Sequence, residues 1–349
     1  LLALLAAEGL RSGDEVILSP LTCQVVPLAL LSLGVRPRWT DLDQETLNLD
    51  GAAVESGVSP STRAVLFQHT YGIPDGAEAA LAVARRSGLL FFEDCAQCMP
   101  LMYLGRCPGR LGEGAIFSNN LLKPLPAASG GLAITSDPDR AQRLRSFRDG
   151  LTGPGITADA RLALLRWIHQ TLLSPRTYWP ALTVYRALAP AYRTKSLNDE
   201  IESQITRPAG RLSSYQERLG FEFLEKAEAL AAHRHQLCRQ YADALVRHPA
   251  LRVPPLQPNL PLLYFPVLAE NKKGLLMAAK KSGVEIIPWP GTTPIYPLEN
   301  SDELIQLGYE SGSCPNAERI AGQLVGLPTH LGMTVAAVTR LLTFLDRWR

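Results

Sequence analysis

The chain has 349 residues, 46% of them apolar and 19% charged, with a formal net charge of +2. This composition excludes a disordered polymer and allows two domains, or one large domain with a subdomain. The near balance of charge removes any case for nucleic acid as a partner. No uninterrupted apolar run reaches the roughly 18 residues that a membrane span needs.

The opening stretch, LLALLAAEGL, reads as an amphipathic helix stopping at Gly9, without the basic leader or cleavage site of a signal peptide. Strand signals then alternate with helix signals. Strands are expected at Val16 to Leu18, Arg38 to Asp41, Ala64 to Gln68, Leu89 to Glu93, Ala115 to Phe117 and Leu132 to Thr135. Helices are expected at Val25 to Leu33, Gly76 to Ser87 and Pro138 to Arg148. Such alternation predicts an α/β domain built on a mainly parallel sheet covered on both faces, over residues 1–150.

Between 151 and 207 the pattern changes. Apolar Leu164, Leu165, Ile168, Leu172 and Leu173 fall at helical spacing among basic residues, and Tyr178 and Trp179 follow Pro175. An oligomer interface and a membrane-surface helix over 160–190 both fit this pattern; the interface is the plainer reading. From Ser213 a long helix is predicted. The pattern then gives a strand at Leu262 to Leu268, a helix at Lys272 to Ser282, a strand at Val284 to Ile287 and a terminal helix at Thr334 to Trp348. Pro-rich Val253 to Pro261 reads as a surface connector. Residues 208–349 thus form a smaller α+β domain.

Two apolar runs carry the chemistry. Leu89 to Phe92 ends in Glu93 and Asp94, and Gly114 to Phe117 ends in Ser118 and leads to Lys123. An apolar run with a polar carboxyl end is the mark of a strand buried on both faces, and open α/β sheets bind ligands beyond those ends. A carboxylate, the Gln97 amide, a hydroxyl and an amine are therefore expected at neighbouring strand ends. Pyridoxal phosphate needs such a set: a lysine for its aldehyde and a carboxylate for its pyridine nitrogen.

The motif D-x-x-Q at Asp94 and Gln97, then F-S-x-x-x-x-K at Phe117, Ser118 and Lys123, then Gly130-Gly131, resembles the DegT/DnrJ/EryC1/StrS family. GDEVILSPLT from Gly13, DLDQETLNLD from Asp41, QHTYG from Gln68 and RLRSFRDG from Arg143 are similar to that family in the order it uses. The likeness is dense to Gly150 and weaker from Arg207.

The resemblance implies a fold-type I pyridoxal phosphate enzyme: an aminotransferase that takes an amino group, commonly from glutamate, to a nucleotide-linked keto sugar. It implies a cytoplasmic homodimer with a shared active site, and a phosphate-holding turn of the S-G-T-A-A type just ahead of Leu1. In this chain it assigns catalysis to Lys123. It assigns cofactor contacts to Asp94, Gln97, Ser118, Lys123, Thr22, Cys23 and His69, with Arg207 as a substitute phosphate contact.

The chain also departs from the family pattern. Cys23 stands where an aromatic ring stacks on the cofactor, and Ala209 stands where an asparagine reaches the partner's phosphate. These departures keep a non-catalytic regulator or scaffold open as a rival reading, alongside action on a lipid-linked substrate at the inner membrane face. Lys123 argues against a dehydratase, since the family's dehydratase variant has histidine there. Cys95-x-x-Cys98 and Cys107 invite a metal reading, but no second C-x-x-C or spaced histidine pair follows them, so no metal is expected.

Overall fold

The computed structural model describes residues 1–102, 105, 107–120, 123–124, 130–155, 157, 159–160, 162–164, 167 and 210–349. A six-stranded sheet in the order β3-β1-β4-β5-β6-β7 organises the first part. Its members are β1 (Glu15–Leu18), β3 (Arg36–Trp39), β4 (Thr62–Gln68), β5 (Leu90–Asp94), β6 (Gly114–Ser118) and β7 (Gly131–Ile134). All neighbours run parallel except β6 and β7, which pair antiparallel.

The strands form where β-branched and aromatic residues cluster, and the pleat sends alternate side chains to two apolar layers. On one face Val16, Leu18, Ala64, Leu66 and Phe92 pack with Leu4 and Leu5 of α1 (Leu2–Ala7) and with Val26 and Leu30 of α2 (Val25–Leu31). On the other, Ile17, Val65, Phe67 and Phe91 meet Val54 of α3 (Gly51–Gly57) and Ala80 and Ala84 of α4 (Ala77–Arg86). The sheet is covered on both sides, as the unbroken apolar runs require. Asp137 then starts α5 (Pro138–Asp149), its carboxylate accepting from the N–H groups of Asp139 and Arg140.

The later part carries a three-stranded antiparallel sheet, β11-β9-β8, made of β8 (Leu251–Arg252), β9 (Tyr264–Ala269) and β11 (Leu324–Pro328). Around it lie α6 (Ser214–Glu225), α7 (Ala227–Leu245), α8 (Lys272–Lys281), α9 (Ser301–Gln306), α10 (Pro315–Gln323) and α11 (Val335–Arg347). The helix expected from Ser213 does start there, on a capping box with Gln216, but Lys226 interrupts it and makes two helices. The strand expected at Val284 to Ile287 reduces to a single bridge between Ile287 and Gly326. β9 holds the inner edge of β11, and Ile287 meets its outer edge at that one residue. The short, well-capped α3, α9 and α10 and the strand β11 were not apparent from the pattern.

The two parts share one apolar cluster, in which Leu21, Leu28, Leu42, Leu47, Tyr71 and Ile73 pack with residues of the second sheet and its helices. Polar contacts reinforce it. Asp41 accepts from the backbone N–H groups of Asn316 and Ala317 at 2.9 Å each, capping α10 from 275 residues away. Trp39 Nε1 donates to the Leu307 carbonyl at 3.1 Å.

Candidate active site

The register of the sheet brings the expected residues to one rim. Gln68 stands opposite Asp94 across β4 and β5, and Asp94 opposite Ile116 across β5 and β6. With a period of two, Gln68, Asp94 and Ser118 leave the same face at the carboxyl ends of adjacent parallel strands. Thr22 joins them because its hydroxyl donates to Gln68 Oε1 at 2.8 Å, while Gln68 Nε2 donates to the Leu21 carbonyl at 2.7 Å. Gln68 was not singled out from the sequence, although strand alternation with Asp94 is a signal that could have found it.

Asp94 is buried, and the Ala96 N–H donates to its Oδ1 at 2.9 Å. Burial pushes its carboxyl above the usual carboxylate range, while the Ala96 N–H and the charge of Lys123 pull the other way. Lys123 is therefore within electrostatic reach of Asp94. It is half-buried, and its N–H donates to the Asn120 carbonyl at 3.0 Å, closing a turn just beyond β6. Ser118 is likewise half-buried, opposite Gly131 on β7.

Gln97 is buried and its Oε1 accepts from the Tyr71 N–H at 2.7 Å. It pins the 3-10 turn Thr70–Gly72, in which Tyr71 (φ 58°) and Gly72 (φ 95°) both take left-handed backbone. A Cβ on Gly72 would lie 3.1 Å from the Gln97 carbonyl, so the turn and the D-x-x-Q segment approach as closely as glycine allows.

Cys23 lies on β2 (Thr22–Cys23), which pairs parallel with β10 (Ile295–Tyr296), and Tyr296 is its direct neighbour. A phenol ring at 38% exposure thus stands beside the position where a stacking ring was expected.

His69, which the sequence leaves between a cofactor contact and a histidine held in a turn, is placed among apolar and acidic neighbours. It lies against Phe67, with ring centroids 5.0 Å apart, and its Nε2 is 2.9 Å from Glu93 Oε2. Glu93, Phe67 and Phe91 belong to the opposite side of the pleat from Asp94, which explains the placement. Glu93 also accepts from the N–H groups of Gly109 and Leu111 and so anchors the loop before β6, a role the sequence reading missed. Arg207, Ala209 and most of 151–207 lie outside the described residues.

A buried carboxyl, an amine, two hydroxyls and amides thus gather on one rim of the parallel sheet. The sequence profile of the DegT/DnrJ/EryC1/StrS aminotransferase family matches residues 1–157 and 191–346. The chain belongs to this family, and with it to the pyridoxal phosphate-dependent aminotransferases. The spore coat polysaccharide biosynthesis protein SpsC of Bacillus subtilis (strain 168) is 26% identical over 345 residues, spanning 95% of this chain and 78% of that protein. Among solved structures, S. venezuelae DesV superposes with a TM-score of 0.76 at 24% identity, covering 99% of this chain and 81% of that one. The E coli GDP-4-keto-6-deoxy-D-mannose-3-dehydratase, solved with bound hydrated PLP, has a TM-score of 0.73 at 20% identity, covering 99% and 84%. At those identities the two structures establish the fold. No helix among the described residues is long and apolar enough to cross a membrane.

Proposed function

We propose that this chain uses pyridoxal phosphate to move an amino group from an amino acid, glutamate by family preference, to a keto acceptor of the nucleotide-linked sugar class. The carrying observation is that the buried Asp94 ends β5 on the face that also presents Gln68 and Ser118, with the half-buried Lys123 in the turn just beyond the neighbouring strand β6.

The residues present fit the cofactor. A carboxyl driven up in pKa by burial is relieved by a cationic partner, and a protonated pyridine nitrogen is one. When bound, the cofactor supplies an electron sink for the carbon that carries the amine. Asp94 would hold the ring nitrogen in its protonated form. Lys123 Nζ would hold the cofactor's aldehyde carbon and, when free, would serve as the base and acid at the substrate carbon. Ser118 and Thr22 offer hydroxyls on the rim, and Gln97, fixed by Tyr71, shapes the wall.

The test is borohydride reduction of the cofactor-loaded protein followed by peptide mapping, alongside 2-oxoglutarate release from glutamate. Covalent label on the Lys123 peptide and release of the keto acid support the reading. Label elsewhere, or neither signal, overturns it.

A second reading, a regulator that binds the cofactor without turnover, is favoured by one observation: Cys23 offers no ring to stack. It predicts label on Lys123 with no 2-oxoglutarate. We also infer a cytoplasmic homodimer that shares the site, read by light scattering. Membrane-surface contact through 160–190 would place a lipid-linked acceptor within reach, and liposome flotation reads it.

A further inference from the structure

Amino transfer assigns no chemistry to Tyr71, yet this residue carries strained backbone at the site. Its φ of 58° puts a bulky side chain on left-handed backbone, and the residue is fully buried. Away from glycine such backbone is costly and persists only where the surroundings over-determine it, most often beside functional sites. Three hydrogen bonds do so here. The Tyr71 N–H donates to Gln97 Oε1 at 2.7 Å, its carbonyl accepts from the Leu263 N–H at 2.9 Å, and its hydroxyl donates to the Trp289 carbonyl at 2.8 Å. The first reaches the D-x-x-Q segment, and the other two reach the second part of the chain.

We propose that Tyr71 is a positioning residue for amino transfer, through which the second part of the chain sets where Asp94 and Gln97 stand. The inference rests on the function proposed above.

The route is short. On the side of the first sheet, the turn that holds Tyr71 is laced to β5 twice: the His69 N–H donates to the Asp94 carbonyl at 3.1 Å, and Tyr71 grips Gln97. On the other side, the Tyr71 ring meets Tyr264 of β9 edge-on, with centroids 5.5 Å apart, and Trp289 at 5.3 Å. Trp289 opens the segment that leads to β10, and β10 returns to the rim by pairing with Thr22 and Cys23. Thr22 in turn holds Gln68, whose Nε2 also donates to Thr70 Oγ1 at 3.2 Å. The links make a circuit that leaves the end of β4 and comes back at the D-x-x-Q segment beyond β5.

Other ties between the two parts lie elsewhere. Trp39 and Asp41 fasten Leu307 and α10 beside the edge strand β3, away from β5. Loss of one of those weakens the fold, whereas loss of the Tyr71 hydroxyl displaces the site.

The experiment compares Tyr71→Phe with Tyr241→Phe in the full chain, with and without pyridoxal phosphate. Each change removes one phenol hydroxyl from the same apolar cluster, and Tyr241 bonds to the Pro328 carbonyl at 2.9 Å, within the second part. Tyr241→Phe therefore reports lost stability alone, and urea unfolding measures that loss in both. Amide hydrogen exchange across 94–98 should quicken about 3- to 10-fold in Tyr71→Phe and stay within about 2-fold of the wild type in Tyr241→Phe. The Kd for pyridoxal phosphate should rise by about the same factor in Tyr71→Phe alone, because only the aligned fraction binds. Either readout unchanged in Tyr71→Phe, or both changed equally in the two variants, overturns the proposal. A wild-type chain that takes up no cofactor at Lys123 would instead remove the functional reading, and the exchange comparison would still decide whether Tyr71 governs the 94–98 segment. Should Tyr71→Phe fail to fold, Gln97→Leu approaches the same link from its other end. Exchange at the Leu263 N–H, bonded to the Tyr71 carbonyl, should then quicken by a similar factor, and an unchanged rate counts against the link.

Discussion

The charge of Lys123 bears on the buried carboxyl of Asp94 across the gap between the β6 turn and the end of β5. Because β5 and β6 pair in parallel, the ends of the D-x-x-Q and F-S-x-x-x-x-K motifs come to one rim of the sheet. Lys123→Ala is expected to lower amino transfer by about 10²- to 10⁴-fold, the ordinary range for a lost proton-transfer group. Stopped-flow mixing with glutamate measures it. Asp94→Asn keeps the shape and removes the charge, and should cost about 10²- to 10³-fold in the same assay while the cofactor can still be fixed to Lys123.

Gln97 and Tyr71 make a separate prediction, because the bond between them is buried and local. Gln97→Leu leaves the Tyr71 N–H unpaired, at a cost of about 1–3 kcal/mol. Gly72→Ala forces a side chain onto left-handed backbone against the Gln97 carbonyl, with a penalty of similar size. Urea unfolding of the two variants checks both figures, and the double variant should cost less than their sum, since the residues touch.

Lys272 is buried, with Nζ donating to the carbonyls of Gly291 and Ala321, and burial brings its pKa down to about 8. A lysine depressed on folding binds fewer protons in the native state than in the unfolded chain. Stability therefore rises with pH between about 8 and the ordinary value near 10.4. The gain from this group is on the order of 3 kcal/mol at most. Denaturant titrations should show that rise in the wild type and its loss in Lys272→Met.

Asp41 caps α10 through two backbone N–H groups. Asp41→Ala should cost about 1–2 kcal/mol, the usual value of a helix cap. Asp41→Asn, which keeps one acceptor, should recover part of it. Thermal melts of the three proteins give the comparison.

Much of this could be read from residues alone, for a physical reason. Leu90–Asp94 and Gly114–Ser118 are strands buried on both faces, so their apolar runs and polar ends stand out without any alternation to decode. The same property hid the division of labour at the first of them. Glu93 and Asp94 are adjacent acids that leave opposite faces, and only the pairing with β4 shows that His69 belongs to Glu93. β7 was placed as a strand, but its antiparallel direction depends on the route of the chain back along β6. Val284 to Ile287 had strand composition but meets the outer edge of β11 at Ile287 alone.

The shared apolar cluster has a consequence for anyone dividing this chain. A truncation ending near residue 150 would leave Leu21, Leu28, Leu42, Leu47, Tyr71 and Ile73 facing water, all now 2% exposed or less. Such a fragment would be recovered in inclusion bodies, and the same surface would cause it to co-purify with chaperones.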